Sequence, residues 1–178
     1  MSASLQLDAV ESGTLTARVR EAIRALCEEA YQEELASYFT DVGPGLHLLG
    51  RVDGALVTHA MLVPRVLETA ATGQMRTAYV ELVATRPSHQ RRGYASHLLE
   101  ALIPFMRDFT IGALSPSDAA FYDRLGWERW RGPLSVRTPS GDVPTPDEEV
   151  MILRLPRTPS ALDVDAALSI EWRPGEVW

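Results

Sequence analysis

The stretch from Tyr79 to Leu102 constrains the chain more than any other, because strand, basic turn and helix follow one another there without a break. Tyr79 to Thr85 is apolar and β-branched, which is the pattern of a buried strand. Arg86-Pro87-Ser88 ends it, since proline has no amide hydrogen to give a central ladder. After Gln90-Arg91-Arg92-Gly93-Tyr94-Ala95, the side chains of Ala95, Leu98, Leu99, Leu102 and Met106 recur on one helical face. Such a helix start suits a phosphate: its first-turn N–H groups have no partner within the helix, and the dipole is positive there. Gly93 lets backbone approach closely, Ala95 keeps the approach open, and Gln90, Arg91 and Arg92 add donors and charge. Neither Gly-Lys-Ser/Thr nor G-x-G-x-x-G is present, so this is not a nucleotide loop of those kinds. Taken alone, the pattern also fits a basic helix N-terminus with no ligand.

A length of 178 residues with 46% apolar composition suits one domain, residues 1–178, with a core of its own. The net charge of −7 argues against nucleic acid as a partner and suits a cationic small molecule. The one cysteine, Cys27, lies on an apolar helical face and reads as core, which excludes an internal disulfide. No Cys/His cluster has metal-ligand spacing, so no metal is expected. No apolar run approaches the roughly 18 residues of a membrane span, and no signal-peptide core is visible, which points to the cytoplasm and to no membrane partner.

In chain order, Leu5 to Val10 reads as a strand, and Ser12 as the cap of a helix whose stripe is Leu15, Val19, Ala22, Ile23 and Leu26. Its far face and end carry Glu21, Glu28, Glu29, Glu33 and Glu34, followed by Tyr31, Tyr38 and Phe39. A second short helix or ordered loop there sets carboxylates beside aromatic rings; a solvated helix end has the same composition. Leu46 to Val52 and Ala55 to Val66 form strands around Asp53-Gly54, and a turn at Ala70 to Gln74 leads into the central strand. Within that strand Glu81 stands out. A buried carboxylate is costly unless paired or employed, and burial raises its pKa toward that of a useful base. The bland alternatives are that it faces solvent or pairs with an arginine.

Pro104 predicts a kink near Ile103, and Ile111 to Leu114 a short buried strand. Ser115-Pro116-Ser117-Asp118 predicts a helix start with Ser115 as cap, ending at Gly126. Pro139 to Pro146 reads as a turn-rich loop and Val150 to Leu155 as a core strand. The tail 169–178, with Trp172, Val177 and Trp178, is too apolar for a free end and is expected to be docked.

These residues carry a resemblance. Gln90-Arg91-Arg92-Gly93-Tyr94-Ala95 matches the Q/R-x-x-G-x-G/A loop of the GNAT superfamily of acyl-CoA-dependent N-acetyltransferases. Tyr122, before Gly126-Trp127, matches that superfamily's fourth motif. The implied fold is α+β (α/β three-layer), with a mixed, mostly antiparallel sheet flanked by helices. Gly112 to Ser115, Trp130, Gly132-Pro133, Thr145-Pro146-Asp147 and the closing Trp172-Arg173-Pro174-Gly175-Glu176-Val177-Trp178 resemble, more narrowly, the aminoglycoside 2'-N-acetyltransferases.

The resemblance implies acetyl-CoA as co-substrate and an aminoglycoside as acceptor. It places the pyrophosphate on the loop from Gln90 to Ala95, and the pantetheine arm and acetyl carbonyl on backbone groups of Val83, Ala84 and Thr85. Glu81 falls on the base that acts through water, and Tyr122 on the acid beside the thioester sulfur. Glu33 or Glu34, Glu81, Leu82, Ser115, Asp147, Glu148, Glu176 and the Trp178 carboxylate fall on the acceptor site. Glu148 and Glu176 stand where aspartate is expected, and Leu82 where glycine is usual, which bears on substrate range. A homodimer is common among such enzymes, though no interface is legible here. Two other readings fit: a GNAT enzyme acting on a polyamine or peptide N-terminus, and an acyl-CoA-binding module without turnover.

Overall fold

The computed structural model describes residues 4–178, which divide into two compact units. The first comprises the chain up to Val63 together with Val80–Ile103. It opens with strand β1 (Gln6–Glu11) and a single tight turn at Ser12–Thr14, then helix α1 (Ala17–Tyr31). The α1 cap is Thr16, whose hydroxyl accepts from the Val19 amide, not Ser12 as the sequence suggests. Ser12 is engaged elsewhere: its hydroxyl binds Gly45 and His47, so it is not available to a helix end. Ile23, Leu26 and Cys27, at i, i+3 and i+4, are fully buried, and Gln32 closes the helix in the left-handed conformation.

Helix α2 (Ala36–Asp41) follows, then the hairpin of β2 (Leu46–Val52) and β3 (Ala55–Thr69). β1 pairs antiparallel with β2, and β2 with β3, with a register shift at Gly50/Arg51. β4 (Gly73–Thr85) neighbours β3, and the basic loop leads from it into α3 (Tyr94–Leu102). The α1 stripe packs on Leu49, Leu56, Met61, Val63, Leu82 and Ala84. Burying each large aliphatic side chain of this set contributes roughly 1.5–3 kcal/mol.

The second unit comprises Pro64–Tyr79 and Pro104–Trp178. Pro104 changes the winding beyond α3 to a tighter turn at Ile103–Met106, as the missing amide requires. Then come β5 (Ile111–Leu114), α4 (Ala119–Asp123), β6 (Glu128–Arg129), β7 (Leu134–Thr138), β8 (Gly141–Pro144), β9 (Met151–Arg154) and β10 (Leu168–Glu171). The strand order is β6-β9-β5-β4-β3-β10-β7-β8. β4 pairs parallel with β5 and β7 with β10, whereas β5–β9, β6–β9, β3–β10 and β7–β8 are antiparallel. The mixed, mostly antiparallel sheet with its helices is the α+β architecture that the resemblance implies.

Three expectations are corrected in this unit. Asp118, not Ser115, caps α4, accepting from the Phe121 amide; Ser115 and Pro116 precede the helix. The segment 139–146 is not all loop: β8 forms a hairpin with β7, for which Gly141 at φ +120° supplies a backbone that other residues rarely adopt. The tail enters the sheet as β10 and Trp178 joins the core, yet Trp172 remains 54% exposed.

Candidate functional site

In the first unit the chemistry gathers along β4 and the loop beyond it. Glu81 is 6% exposed, and the Tyr38 hydroxyl from α2 donates to its Oε2 at 2.5 Å. Of the aromatics that the sequence placed near the acidic helix end, Tyr38 is thus the one that reaches a buried carboxylate. Leu82 follows at φ +52°. That explains why a glycine suits this position: a side chain in the left-handed region costs roughly 1–2 kcal/mol. Leucine accepts the strain because its side chain is buried with Leu26 and Cys27 of α1.

From Leu82 onward, four consecutive carbonyls accept side-chain donors. His59 Nδ1 lies 2.9 Å from the Leu82 oxygen, Tyr31 Oη 2.8 Å from that of Val83, and Thr58 Oγ1 3.0 Å from that of Ala84. Gln90 Nε2 completes the series at 3.1 Å from the Thr85 oxygen. The Val83 and Thr85 carbonyls are therefore already engaged within the unit. Gln90, assigned from sequence to the phosphate, uses part of its amide to fasten the loop.

Arg86 is structural. It donates to the Leu56 carbonyl at 2.8 Å and pairs with Glu29. Arg92 donates to the Ser88 carbonyl at 3.0 Å, whereas Arg91 is exposed at φ +60°. Gly93, at φ +80°, is the residue before α3 and gives that helix no side-chain cap. A Cβ built there meets nothing within 4 Å, so φ, not crowding by the protein, demands glycine. The first-turn amides at Tyr94 and Ala95 thus begin an uncapped helix, with exposed guanidinium groups on the loop before it. Glu33 and Glu34 are exposed on the link between α1 and α2.

In the second unit Tyr122 is 5% exposed in α4, edge-on to Phe121 and Trp127. Burial, reinforced by the negative charge of Asp118, raises its hydroxyl pKa to about 12, so it keeps its proton at neutral pH. Ser115 is exposed just beyond β5. Asp147 and Glu148 lie on an exposed turn, and the Glu148 pKa is raised by partial burial and by the charges of Glu176 and Asp147. The structure thus brings these three sequence-predicted carboxylates within electrostatic reach of one another.

The tail is fastened by Thr145 and by Arg65, the second of which sequence reasoning passed over. Trp178 Nε1 donates to Thr145 Oγ1 at 2.9 Å. Arg65, 4% exposed, binds the Val177 carbonyl at 2.9 Å, the Glu171 carbonyl at 2.8 Å and the Glu171 carboxylate at 2.7 Å. An arginine within the apolar run Leu62-Val63-Pro64-Arg65-Val66-Leu67 was the available signal.

Residues 15–130 match the family model described as "Acetyltransferase (GNAT) domain". Over 177 residues, covering 95% of this chain and 90% of the relative, the sequence is 34% identical to an aminoglycoside 2'-N-acetyltransferase of Mycolicibacterium fortuitum. Among solved structures, a similar one is the GNAT family N-acetyltransferase YhbS of Escherichia coli in complex with CoA. Its TM-score is 0.65 at 15% identity, covering 97% of this chain and 92% of that one. A GNAT family acetyltransferase of Brucella melitensis in complex with acetyl-CoA gives 0.52 at 15% identity, over 69% of this chain and 83% of that one. At such identities the likeness speaks for the fold.

Proposed function

This chain belongs to the GNAT acetyltransferases, and from that premise we propose that it moves an acetyl group from acetyl-CoA to the 2'-amine of an aminoglycoside. The observation that carries the acceptor class is the second unit's acidic turn and tail. Asp147, Glu148 and Glu176 share one electrostatic neighbourhood, and Trp178 is tied to Thr145 beside them. A polycation is attracted and oriented by such a cluster, whereas a peptide N-terminus carries one charge and has no use for it. The aminoglycoside-acetylating relative lends the same support.

The assigned roles follow from local physics. The uncapped α3 N-terminus, Arg91 and Arg92 hold the pyrophosphate of the co-substrate. Glu81, buried and held by Tyr38, receives the acceptor amine's proton through a water molecule. The Val83 amide donates to the acyl oxygen as negative charge develops on it. Tyr122, protonated throughout the physiological range, donates a hydrogen bond to the departing sulfur. An ordinary alkyl thiol has a pKa of about 8.5, so complete transfer from a phenol at about 12 is uphill. Hydrogen-bond stabilisation of the leaving group is therefore the role that fits. Cys27, fully buried with its thiol pKa pushed up to about 12, takes no acyl group, and transfer is direct.

Thiol release from acetyl-CoA tests this with gentamicin and tobramycin, which carry a 2'-amine, against kanamycin A, which has a hydroxyl there. Release with the first two alone is the expected result. Release with kanamycin A as well would overturn the 2' position, and silence across the panel would overturn the acceptor class. With an active acceptor, Tyr122→Phe should lower kcat roughly 10- to 100-fold, the loss of a hydrogen bond to a charged group, while leaving CoA affinity largely unchanged.

A further inference from the structure

We propose that His59 is a positioning residue for acyl transfer: by holding the Leu82 carbonyl it aims the Val83 amide at the acyl oxygen. The inference rests on the reading of β4 as the strand that serves the acyl group, and it adds what sets the direction of that strand's donor.

The starting point is the strained residue. Leu82 is left-handed at φ +52°, and a non-glycine residue stays there only where its surroundings over-determine it. Part of that determination is packing against α1. The polar part is His59, itself fully buried on β3, with Nδ1 2.9 Å from the Leu82 oxygen.

Counting protons fixes the state of this contact. A carbonyl only accepts, so His59 Nδ1 carries the hydrogen. Burial, with the neighbouring His47, lowers the His59 pKa to about 3, so the ring is neutral and Nε2 is bare. His47 Nδ1, 2.9 Å from that nitrogen, must donate to it. His47, its own pKa lowered to about 4 by burial and Arg20, is neutral too and presents a bare Nε2 to Ser12 Oγ at 2.9 Å. The Ser12 hydroxyl therefore donates to His47 and accepts from the Gly45 amide at 3.0 Å. The Gly45 carbonyl, which the hydroxyl also approaches, is satisfied by the Ser12 amide at 2.9 Å.

Every hydrogen in the chain Ser12, His47, His59, Leu82 thus points one way, and the carbonyl at its end sets the direction. Were the Ser12 hydroxyl to donate to Gly45 instead, His47 would need hydrogens on both nitrogens and hence a buried charge. Cys27 Sγ, 3.8 Å from His59 Nδ1, is a protonated thiol and brings no charge to the contact. The carbonyl cannot pass a proton on, so the chain is not a proton path to Glu81. It is a clamp.

What the clamp controls follows from peptide geometry. The Leu82 carbonyl and the Val83 N–H belong to one planar trans unit, in which they point in opposite directions. Fixing the carbonyl on buried His59 fixes the N–H pointing away from it. A donor aimed before the reaction stabilises developing charge without reorganising as the reaction proceeds. His59 touches no reacting atom; it acts through the backbone it holds.

The test uses His59→Leu, which removes the donor, and His59→Asn, whose side-chain NH2 reaches the place of Nδ1. With a working acceptor, His59→Leu should lower kcat about 10- to 100-fold with both KM values within about threefold. His59→Asn should recover kcat to within about fivefold of the parent. A folded His59→Leu enzyme with parental kcat would overturn the proposal, as would equal losses in both variants. A second readout needs neither turnover nor a stable leucine variant. In ¹H–¹⁵N spectra of the parent protein, acetyl-CoA should shift the Val83 amide beyond what CoA alone does, and His59 should show a protonated Nδ1. A Val83 amide indifferent to the acetyl group, or a His59 protonated only at Nε2, overturns it. If the aminoglycoside assays are silent while the Val83 shift is present, the acceptor assignment fails and the clamp stands.

Discussion

The end of β4 and the stretch from β10 to the tail, one in each unit, are held in place by opposite kinds of chemistry. Around β4 the ties come from uncharged side chains: a tyrosine on Glu81, then a histidine backed by a second one, another tyrosine, a threonine and a glutamine along the strand's carbonyls. Around the tail they are ionic, with buried Arg65 reaching the Glu171 carboxylate and two main-chain carbonyls. A neutral network fixes hydrogen direction, and hence backbone orientation, but it depends on the histidines staying uncharged. An ionic one tolerates a wide pH range but fails if one partner is removed, because burial makes an uncompensated charge costly. The first arrangement suits a strand that must aim an amide, the second a segment that must simply stay put.

Acid separates the two most sharply. His47 and His59 have folded pKa values of about 4 and about 3, against an unfolded value near 6.5. Between these limits the unfolded chain binds more protons, so the histidines' contribution is present above pH 6.5 and lost as pH falls. The groups facing them are Arg20, whose charge lowers the His47 pKa further, the protonated Cys27 thiol and the Ser12 hydroxyl. At pH 5 the loss relative to pH 7 is roughly 2 kcal/mol for each histidine. Urea titrations at the two pH values should show it, and replacing both histidines by asparagine should flatten the difference. An unchanged slope in that double variant would mean that other groups govern acid sensitivity.

Arg65→Met breaks the ionic side. Glu171 retains the Val66 amide at 2.9 Å, Arg137 at 4.0 Å and some solvent, so the expected loss is about 3 kcal/mol, the low end for a broken buried pair. The loss should be the same at pH 7 and pH 6, which a pair of urea midpoints checks. The smallest effect is expected at the tail clip. Thr145→Val leaves the Trp178 indole without its acceptor and should cost about 1 kcal/mol, seen as faster exchange of the indole hydrogen.

The sequence made the loop and α3 legible because their logic is local: a helix that begins with glycine and arginines needs only its neighbours to be understood. Glu81 stood out for the same reason, as a charge among apolar residues. Caps were harder. Ser12 and Thr16 are equally good candidates until one knows that Gly45 and His47, more than thirty residues away, engage the first. Ser115 and Asp118 posed the same ambiguity, decided by where the chain leaves β5. The histidines were silent because each reads as an ordinary core residue until it is placed beside the other and Leu82. Arg65 took its meaning from Glu171, over a hundred residues later. Long-range pairing, not composition, was the missing information.

The insertion of β10 between β3 and β7 has a consequence for how this protein is made. Leu67 and Glu68 of β3 receive their partners, Ile170 and Ser169, only after about a hundred further residues have left the ribosome. At roughly 5–20 residues per second, that is a wait of some 5–20 seconds with an open strand edge beside apolar neighbours. A nascent chain stalled before Leu168 presents that edge to any other strand in its surroundings. Translation speed through the second unit, and chaperone cover during it, therefore bear on yield as directly as any side chain described above.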